Sequence, residues 1–300
     1  MKTDNSNTAA ESQVLGRVAF VDGRGDLPML QVSTPWSNAE IYLHGAHVTH
    51  FQKAEESPLL FLSQCSRFAS GQPIRGGIPI VFPWFGPREG LAQHGFARVQ
   101  EWDLKEFLPT SDGSVSIRFR LPDSPEARGF PPFTADYIVT VNESLRLQII
   151  IKNESNNQEF LFEECLHTYF SVSDITAVSV HGLAGVSYRD KVASSMEKTE
   201  TSDAIRISSE VDRTYLSTTG PVEVLDPRLG RRIRIEKSGS ASTVLWNPWI
   251  AKSQQMPDFG NDEYEHMLCV ESGNVAANSI TLSPGASSTL EVTLSSETLK

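Results

Sequence analysis

Three short stretches of the sequence combine side chains that could carry out acid–base chemistry or bind an anion. The first, residues 73–98, contains four prolines and five glycines in 26 residues. Prolines and glycines at this density prevent regular strand pairing, so the stretch predicts an ordered loop. Such a loop above a rigid sheet is a common place for a binding site. The alternative is a structural loop whose arginines cap carbonyl groups. Its polar and charged candidates are Arg75, Arg88, Gln93, His94 and Arg98.

The second stretch, residues 163–170, reads E-E-C-L-H-T-Y-F and is predicted to be a strand. Alternation along a strand places Glu163, Cys165, His167 and Tyr169 on one face. A polar face with a central histidine is typical of the wall of a cleft, and a histidine can act as an acid or a base near neutral pH. The alternative is a partly exposed histidine on a solvated strand. Cys165 and His167 lie two positions apart on a strand, which is a poor arrangement for a thiol–imidazole dyad.

The third stretch, residues 267–274, reads M-L-C-V-E-S-G-N. We expect an apolar strand that ends at Glu271 and is followed by turn residues. Cys269 and Glu271 share a face of this strand. Burial would raise the pKa of Glu271 and make it a useful general base. The alternative is a glutamate at a solvated strand end.

Other candidates have less support from the residues alone. His44, His47 and His50 resemble a metal cluster, but strand alternation turns His47 away from the other two, and Gly45 indicates a turn, so we interpret them as structural or surface residues. Asp212 lies in a polar segment without a motif. The segment W-N-P-W at 246–249 is either a stacking platform for a sugar or a pair of core anchors. The sequence contains no G-x-G-x-x-G, P-loop or H-E-x-x-H motif.

The elements that must position these side chains are short apolar segments broken by Gly, Pro, Asn, Asp and Ser. Residues 115–121 alternate cleanly, with Val115, Ile117 and Phe119 on one face. Short strands separated by frequent turns predict an all-β fold, a large antiparallel β-sandwich with few short helices. The predicted strands are 14–21, 29–32, 40–43, 47–51, 115–121, 137–141, 145–151, 160–170, 175–180, 222–225, 233–235, 243–246, 267–271 and 290–294.

A helix is predicted in only two segments, 249–256 and part of 66–72. Because strands do not alternate with amphipathic helices of about 10–15 residues, a βαβ fold is disfavoured. We expect one β-sandwich domain over residues 12–298, with residues 1–11 as a flexible tail. The alternative is two domains that meet near the polar, irregular segment 182–209.

Composition excludes several classes of protein. The chain has 300 residues and a net charge of −11, with no run of Lys and Arg, so a nucleic-acid partner is not expected. Three widely spaced cysteines, Cys65, Cys165 and Cys269, predict neither a disulfide framework nor a thiolate zinc site, and favour a reducing compartment. No signal peptide or membrane-spanning segment is recognisable. We therefore expect a cytoplasmic protein with no membrane partner.

The three stretches together resemble the galactose mutarotase-like superfamily, and more narrowly the D-hexose-6-phosphate mutarotases (glucose-6-phosphate 1-epimerases). The resemblance covers residues 45–275, with its pieces in the family's order. The matching pieces are P-I-R-G-G-I-P-I-V-F-P-W-F-G, Q-H-G-F-A-R, L-H-T-Y-F, E-V-D-R-T-Y and N-P-W-I-A-K-S-Q-Q-M-P-D-F-G-N-D-E-Y-E-H-M-L-C-V-E-S-G-N.

This resemblance implies a supersandwich of antiparallel sheets with the site in a concave cleft, and neither a metal nor an organic cofactor. It implies that His167 is the general acid and Glu271 the general base. It also implies that Arg75, Gln93, Arg98 and Asp212 bind substrate. His94 lies in the same motif, and we expect it to contact the sugar. Nothing in the resemblance requires an oligomer, so we expect a monomer.

The implied activity is exchange of the α and β anomers of a hexose 6-phosphate, most simply glucose 6-phosphate. One base and one acid suffice to open and close the hemiacetal ring, provided that Glu271 is ionised while His167 is protonated. Glu163 and Glu164 are hypothetical supports for that charge on His167. Two arginines, Arg75 and Arg98, would suit a phosphate better than a neutral hydroxymethyl group.

Three alternatives stay open. The chain could be an aldose 1-epimerase acting on unphosphorylated hexoses, or a carbohydrate-binding module without turnover. It could also be a glycoside hydrolase, although that chemistry normally uses two carboxylates.

Overall fold

The computed structural model describes residues 16–194 and 196–299. Within these residues the backbone is organised mainly as short strands joined by turns. The strands in chain order are β1 (Arg17–Asp22), β2 (Pro28–Ser33), β3 (Ser37–Tyr42), β4 (His47–Lys53), β5 (Ile80–Val81), β6 (Asp103–Pro109), β7 (Val115–Arg120), β8 (Phe133–Val141), β9 (Leu145–Asn153), β10 (Phe160–Phe162), β11 (Glu164–Leu166), β12 (Tyr169–Ser171), β13 (Ser179–His181), β14 (Ser187–Asp190), β15 (Met196–Thr199), β16 (Val211–Leu216), β17 (Val222–Asp226), β18 (Arg231–Ser238), β19 (Ser242–Asn247), β20 (Met267–Asn274), β21 (Ile280–Leu282) and β22 (Ser287–Thr298).

Helical structure is scarce. One α-helix, α1 (Trp249–Ser253), and five single 3₁₀ turns occur in the described part of the chain. The 3₁₀ turns are Arg24–Asp26, Ala97–Val99, Pro125–Ala127, Glu263–His266 and Ala276–Asn278. None of these helices is long and apolar enough to cross a membrane.

Two eight-stranded sheets form the body of the fold. The first, which we call the site sheet, has the order β15-β14-β16-β19-β20-β11-β5, with β12 also paired to β20. The second, the back sheet, has the order β13-β17-β18-β22-β9-β8-β7-β6. Strands β1 to β4 form a separate meander, and β10 pairs with β21. The strand pairs in these sheets are antiparallel, which confirms the predicted all-β antiparallel class.

A continuous apolar core joins the two large sheets. In β7 the burial alternates as the sequence predicts, with Val115, Ile117 and Phe119 fully buried. From the site sheet, Leu166 and Leu245 belong to the same cluster of buried side chains. The buried residues of the two sheets therefore form one core, and the opposite face of the site sheet is left available for a cavity.

Several local predictions differ from the structure. Residues 160–170 form three short strands rather than one, with breaks at Glu163 and at 167–168. Residues 66–72 form turns rather than a helix, and the helix predicted at 249–256 ends at Ser253. The irregular segment 182–209 contains β14 and β15 of the site sheet. The predicted tail, residues 1–11, lies outside the described residues.

Two histidines anchor the loop that carries Arg75. The ring of His44 hydrogen-bonds through Nε2 to the carbonyl of Gln72 at 2.7 Å, and His47 does the same to the carbonyl of Gly76 at 2.7 Å. His50 instead bonds to Asn38 at 2.9 Å. The structural interpretation of these histidines is confirmed, and their contacts fix the backbone on both sides of Arg75.

Candidate active site

The register of the site sheet places chemically active side chains in two parallel rows. Directly opposed residues of antiparallel strands point to the same face. The first row crosses four strands from Arg189 to Thr214, Val244 and Glu271. The second row runs from Asp212 through Trp246 and Cys269 to Tyr169. Both rows lie on the face that does not pack on the back sheet.

His167 and Glu271 meet at one end of the first row. The register continues from Leu166 opposite Ser272 to Tyr169 opposite Cys269, which places His167 opposite Glu271. His167 Nε2 lies 3.2 Å from Glu271 Oε1. The other carboxylate oxygen lies 3.5 Å from the thiol of Cys165, which donates to it. Glu271 lies inside β20 rather than at its end, so the predicted strand end at this residue is wrong.

Burial shifts both members of this pair away from their charged forms. It raises the pKa of Glu271 to about 8, an effect that Lys191 opposes and Asp212 reinforces. It lowers the pKa of His167 well below its ordinary value, helped by the charges of Arg98 and Arg75. These shifts favour a neutral carboxyl beside a neutral imidazole, whereas the sequence argument required an ion pair. Both arrangements hold one proton, and a proton shift across the 3.2 Å contact interconverts them.

Arg75 acts on this pair through a tyrosine. Its guanidinium donates to both oxygens of Asp258 at 3.0–3.3 Å and to the hydroxyl of Tyr169 at 3.0 Å. The Tyr169 ring stacks on the ring of His167, with centroids 4.7 Å apart and an 11° angle between planes. Arg75 thus lines the cavity with its charge paired with Asp258, and it positions the Tyr169 ring that stacks on His167.

The loop around residue 94 closes the cavity from the other side. The backbone N–H of Gly86 donates to Nδ1 of His94 at 3.1 Å. The other ring nitrogen, Nε2, lies 3.2 Å from the side-chain nitrogen of Gln93. Burial, followed by the charges of Arg98 and Lys191, lowers the pKa of His94 to about 3. His94 is therefore a neutral hydrogen-bonding group, 5.8 Å from the His167 ring between centroids.

Arg98 takes a different position from the other predicted site residues. It is buried and does not line the cavity. Its guanidinium donates to the backbone carbonyl of Gln93 at 2.7 Å, and its Nε has no hydrogen-bond partner in the part of the chain that the structure describes. Burial and the charge of Arg75 lower its pKa to about 10. Its visible contact supports the loop, and its role as a substrate ligand stays a prediction.

Glu163 and Glu164 do not support the charge of His167 as hypothesised. The carboxylate of Glu163 accepts backbone N–H groups of Phe85 at 2.9 Å and Ala276 at 2.7 Å, so it ties two loops to the cavity wall. Glu164 is fully buried, and its carboxylate accepts a hydrogen bond from Asn274 at 3.1 Å.

These elements enclose a cavity of about 500 Å³. Six predicted site residues line it: His167, Glu271, Arg75, Gln93, His94 and Asp212. The sequence analysis missed three further cations on the wall, Arg189, Lys191 and Lys252. Arg189 and Lys191 belong to segment 182–209, which the sequence analysis treated as irregular. Their spacing is the one signal that could have identified them, because residues two positions apart on a strand share a face.

A set of possible metal ligands lies beside the cavity, and two of its members, His167 and Glu271, line it. Ligand atoms of His167, Cys269 and Glu271 all lie within 4.8 Å of one another. Histidine, thiolate and carboxylate are groups that zinc accepts. These side chains include the acid–base pair itself, so an ion held there would occupy the groups that the proton chemistry needs.

Comparison with known proteins decides the family. Residues 28–295 match the aldose 1-epimerase family. The chain belongs to the aldose 1-epimerase family. A protein from Cenchrus ciliaris, provisionally named a glucose-6-phosphate 1-epimerase, is 37% identical over 82% of this chain and 78% of its own length.

Solved structures share the fold of this chain. The crystal structure of a provisionally assigned mutarotase from Salmonella typhimurium superposes with a TM-score of 0.86 and 30% identity, covering 94% of each chain. A galactose mutarotase-like protein from Clostridium acetobutylicum, 14% identical, superposes with a TM-score of 0.72 over 96% of this chain and 99% of its own. The epimerase fold that the resemblance implied is thus confirmed.

Proposed function

We propose that this chain interconverts the α and β anomers of a hexose 6-phosphate, with glucose 6-phosphate as the leading substrate. The observation that carries the proposal is the buried His167–Glu271 pair, whose facing atoms lie 3.2 Å apart in a cavity of about 500 Å³. A volume of this size suits a small ligand. The name of the Cenchrus ciliaris relative supports the choice of sugar phosphate.

Ring opening needs one proton to leave the substrate and one to enter it. Glu271 takes the proton of the C1 hydroxyl while His167 gives a proton to the ring oxygen. The bond between C1 and the ring oxygen breaks, and C1 becomes the aldehyde carbon. The pair still holds one proton, now on Glu271. Rotation about the C1–C2 bond and the reverse transfers close the ring with the other configuration.

Neighbouring groups prepare the pair for these transfers. Lys191 favours the ionised form of Glu271 because its positive charge opposes the effect of burial on that pKa. Tyr169, held by Arg75, keeps the plane of the His167 ring fixed. We propose that Gln93, His94 and Asp212 bind sugar hydroxyls, since their side chains line the same cavity.

Exchange spectroscopy tests this function directly. The rate of anomer exchange of glucose 6-phosphate would be measured by NMR with and without enzyme, since the uncatalysed reaction also proceeds. We expect acceleration by the wild type, and a loss of about 10²–10⁴-fold in kcat in Glu271→Gln, which removes one proton-transfer group. Glu236→Gln, an exposed substitution on β18 of the back sheet, is the matched control. A folded wild type that leaves the rate unchanged would contradict the proposal.

Three other outcomes would identify the rival functions. Sugar binding without acceleration would indicate a binding module, and release of a chromophore from an aryl glycoside would indicate a hydrolase. Acceleration restricted to unphosphorylated hexoses would indicate an aldose 1-epimerase that acts on free sugars.

We further propose that the enzyme acts as a monomer in the cytoplasm. Cys65, Cys165 and Cys269 are free thiols, which suits a reducing compartment. Cell fractionation tests the location.

A further inference from the structure

Three side chains at the reacting end of the cavity have the types and the spacing to hold a metal ion. Cys269 and Glu271 are two positions apart on β20 and share a face, and His167 lies opposite Glu271. A ring nitrogen, the thiol sulfur and a carboxylate oxygen of these residues all lie within 4.8 Å of one another. The three donors thus lie on the site sheet or directly beside it, and strand pairing fixes the backbones that carry them.

The spacing of these atoms suits a tetrahedral ion. Zinc lies about 2.0–2.1 Å from a histidine nitrogen, about 2.0–2.2 Å from a carboxylate oxygen and about 2.3 Å from a cysteine sulfur. At tetrahedral angles these ligand atoms are roughly 3.4–3.6 Å apart. His167 Nε2 and Glu271 Oε1 already lie 3.2 Å apart. Since all three donors lie within 4.8 Å, the sulfur of Cys269 needs to approach by no more than about 1.2 Å.

The donor types and their charges favour zinc over magnesium or calcium. Zinc binds nitrogen and sulfur donors well, whereas magnesium and calcium prefer oxygen ligands. Cys269 and Glu271 bind a metal as anions, and their two negative charges neutralise the ion. Neutrality is important because both side chains are buried, and a net charge inside the protein is costly.

The surroundings of the three donors favour an inhibitory site over that of a resident cofactor. His167 and Glu271 line the cavity, so an ion that enters the cavity can reach them. Nδ1 of His167 has no hydrogen-bond partner among the described residues. A histidine that holds a resident metal almost always donates its second N–H to a partner that orients the ring and strengthens the metal bond. Without such a partner, we expect binding that a chelator reverses.

We propose that Zn²⁺ binds His167, Cys269 and Glu271 and thereby inhibits the enzyme reversibly. The bound ion occupies the nitrogen that gives a proton to the ring oxygen and the carboxylate that takes one from the C1 hydroxyl. Neither group can then exchange a proton with the sugar, so catalysis stops while the fold stays intact. The inhibition rests on the proposed function, whereas the binding of the ion does not.

Inhibition by zinc in matched thiol variants tests the site. Anomer exchange of glucose 6-phosphate would be measured with free Zn²⁺ held by a metal buffer, and each variant would be compared with its own rate without zinc. We expect Zn²⁺ to inhibit the wild type, EDTA to restore the rate, and Mg²⁺ at the same concentrations to have no effect. In Cys269→Ser, which loses the thiolate, the concentration for half-inhibition should rise at least about tenfold. Cys65→Ser, at an exposed thiol, is the matched control.

Cobalt provides a readout that does not depend on activity. Co²⁺ accepts similar ligands, and a bound thiolate gives it a charge-transfer absorption band that aqueous Co²⁺ lacks. We expect this band in the wild type and in Cys65→Ser, and no band in Cys269→Ser. Added Zn²⁺ should displace the cobalt and remove the band. Cys269→Ala replaces the serine variant if that variant does not fold.

The outcomes separate this inference from the proposed function. A folded wild type that never accelerates exchange would overturn the proposed function, and the cobalt band would still decide the metal site. An active wild type with no cobalt band, or with the same zinc sensitivity in Cys269→Ser, would overturn the inference alone. Sensitivity lost in Cys165→Ser but kept in Cys269→Ser would also overturn it, and would place the ion at the other buried thiol. Thermal unfolding of each variant checks that its fold is retained.

Discussion

Glu164 and Glu271 are two fully buried carboxyl groups in neighbouring strands, and burial raises the pKa of each to about 8. Glu271 faces the cavity and has His167 as its partner. Glu164 receives one hydrogen bond, from Asn274, and its Oε2 has no partner within the described residues. Glu271 thus has a role in the proposed proton transfer, whereas Glu164 has no assigned role.

Both groups make stability depend on pH with the same sign. In the unfolded chain each releases its proton near 4.5, whereas the folded chain keeps it to about 8. Folding therefore binds more protons at these two groups in this window, and their contribution to the free energy of unfolding should fall as pH rises, by up to about 1.4 kcal/mol per pH unit for each group. We expect Glu164→Gln, which mimics the protonated acid, to reduce this slope.

Urea unfolding at several values between pH 5 and 8 measures the slope. Glu236→Gln, which is exposed on β18, should keep the wild-type slope. An equal slope in Glu164→Gln and wild type would show that Glu164 is ionised in the folded chain.

The pair should also set the alkaline limit of activity. Only the form with one proton has both an acid and a base, and the shifted pKa of Glu271 marks its loss at about 8. We therefore expect kcat/KM to be level between about pH 6 and 7.5 and to fall above about 8. Initial exchange rates corrected for the uncatalysed reaction provide the profile. A kcat/KM that rises through pH 8 would mean that the pair works without its proton.

At the scale of single elements, alternation explains what the sequence could predict. The buried face of β7 was readable because apolar and polar residues alternate through its length. The shared face of Cys165 and His167 could be predicted for the same reason. Strand β14 could not be predicted, because its sequence, S-Y-R-D, has no apolar stripe. It is a strand because it pairs with β15 and β16. The cations of the cavity wall were missed with it.

A glycine in β20 allows the two strands of the acid–base pair to approach closely. A Cβ on Gly273 would lie 2.4 Å from the carbonyl oxygen of Glu164 and 2.8 Å from Cα of Cys165. We expect Gly273→Ala to push β11 away from β20, which should cost about 1–3 kcal/mol of stability. The displacement of His167 from Glu271 should lower kcat at least about tenfold.

Thermal unfolding and the exchange assay check the two effects together. Gly220→Ala is the matched control, because a Cβ there meets no atom within 4 Å. If Gly273→Ala behaves like this control, close approach of the two strands does not position the pair.

For the whole molecule, the contacts that complete the site join distant parts of the chain. Arg75 and Asp258 are 183 positions apart, and Cys165 and Glu271 are 106 apart. Each residue type was visible in the sequence, and the resemblance assigned roles to several. The pairing of Arg75 with Asp258 was not foreseeable, because only the folded arrangement of loops brings these two side chains together. The net charge of −11 also gave no indication that four cations would lie on the wall of the cavity.

The proposed monomer makes a prediction about mass. We expect a species of about 33.1 kDa by light scattering. Specific activity should not change when the protein is diluted. A larger mass together with activity lost on dilution would show that assembly is required.

The distribution of the three thiols makes the molecule suitable for site-selective labelling. Cys165 and Cys269 are buried, and burial raises the pKa of each well above its ordinary value, which suppresses the thiolate that reacts with maleimides. Cys65 is exposed and lies two residues after Ser63, whose hydroxyl donates to the carbonyl of Asp258 at 3.1 Å. A single fluorophore on Cys65 would therefore sit near the Arg75–Asp258 pair and could report ligand entry by emission, without any engineered cysteine.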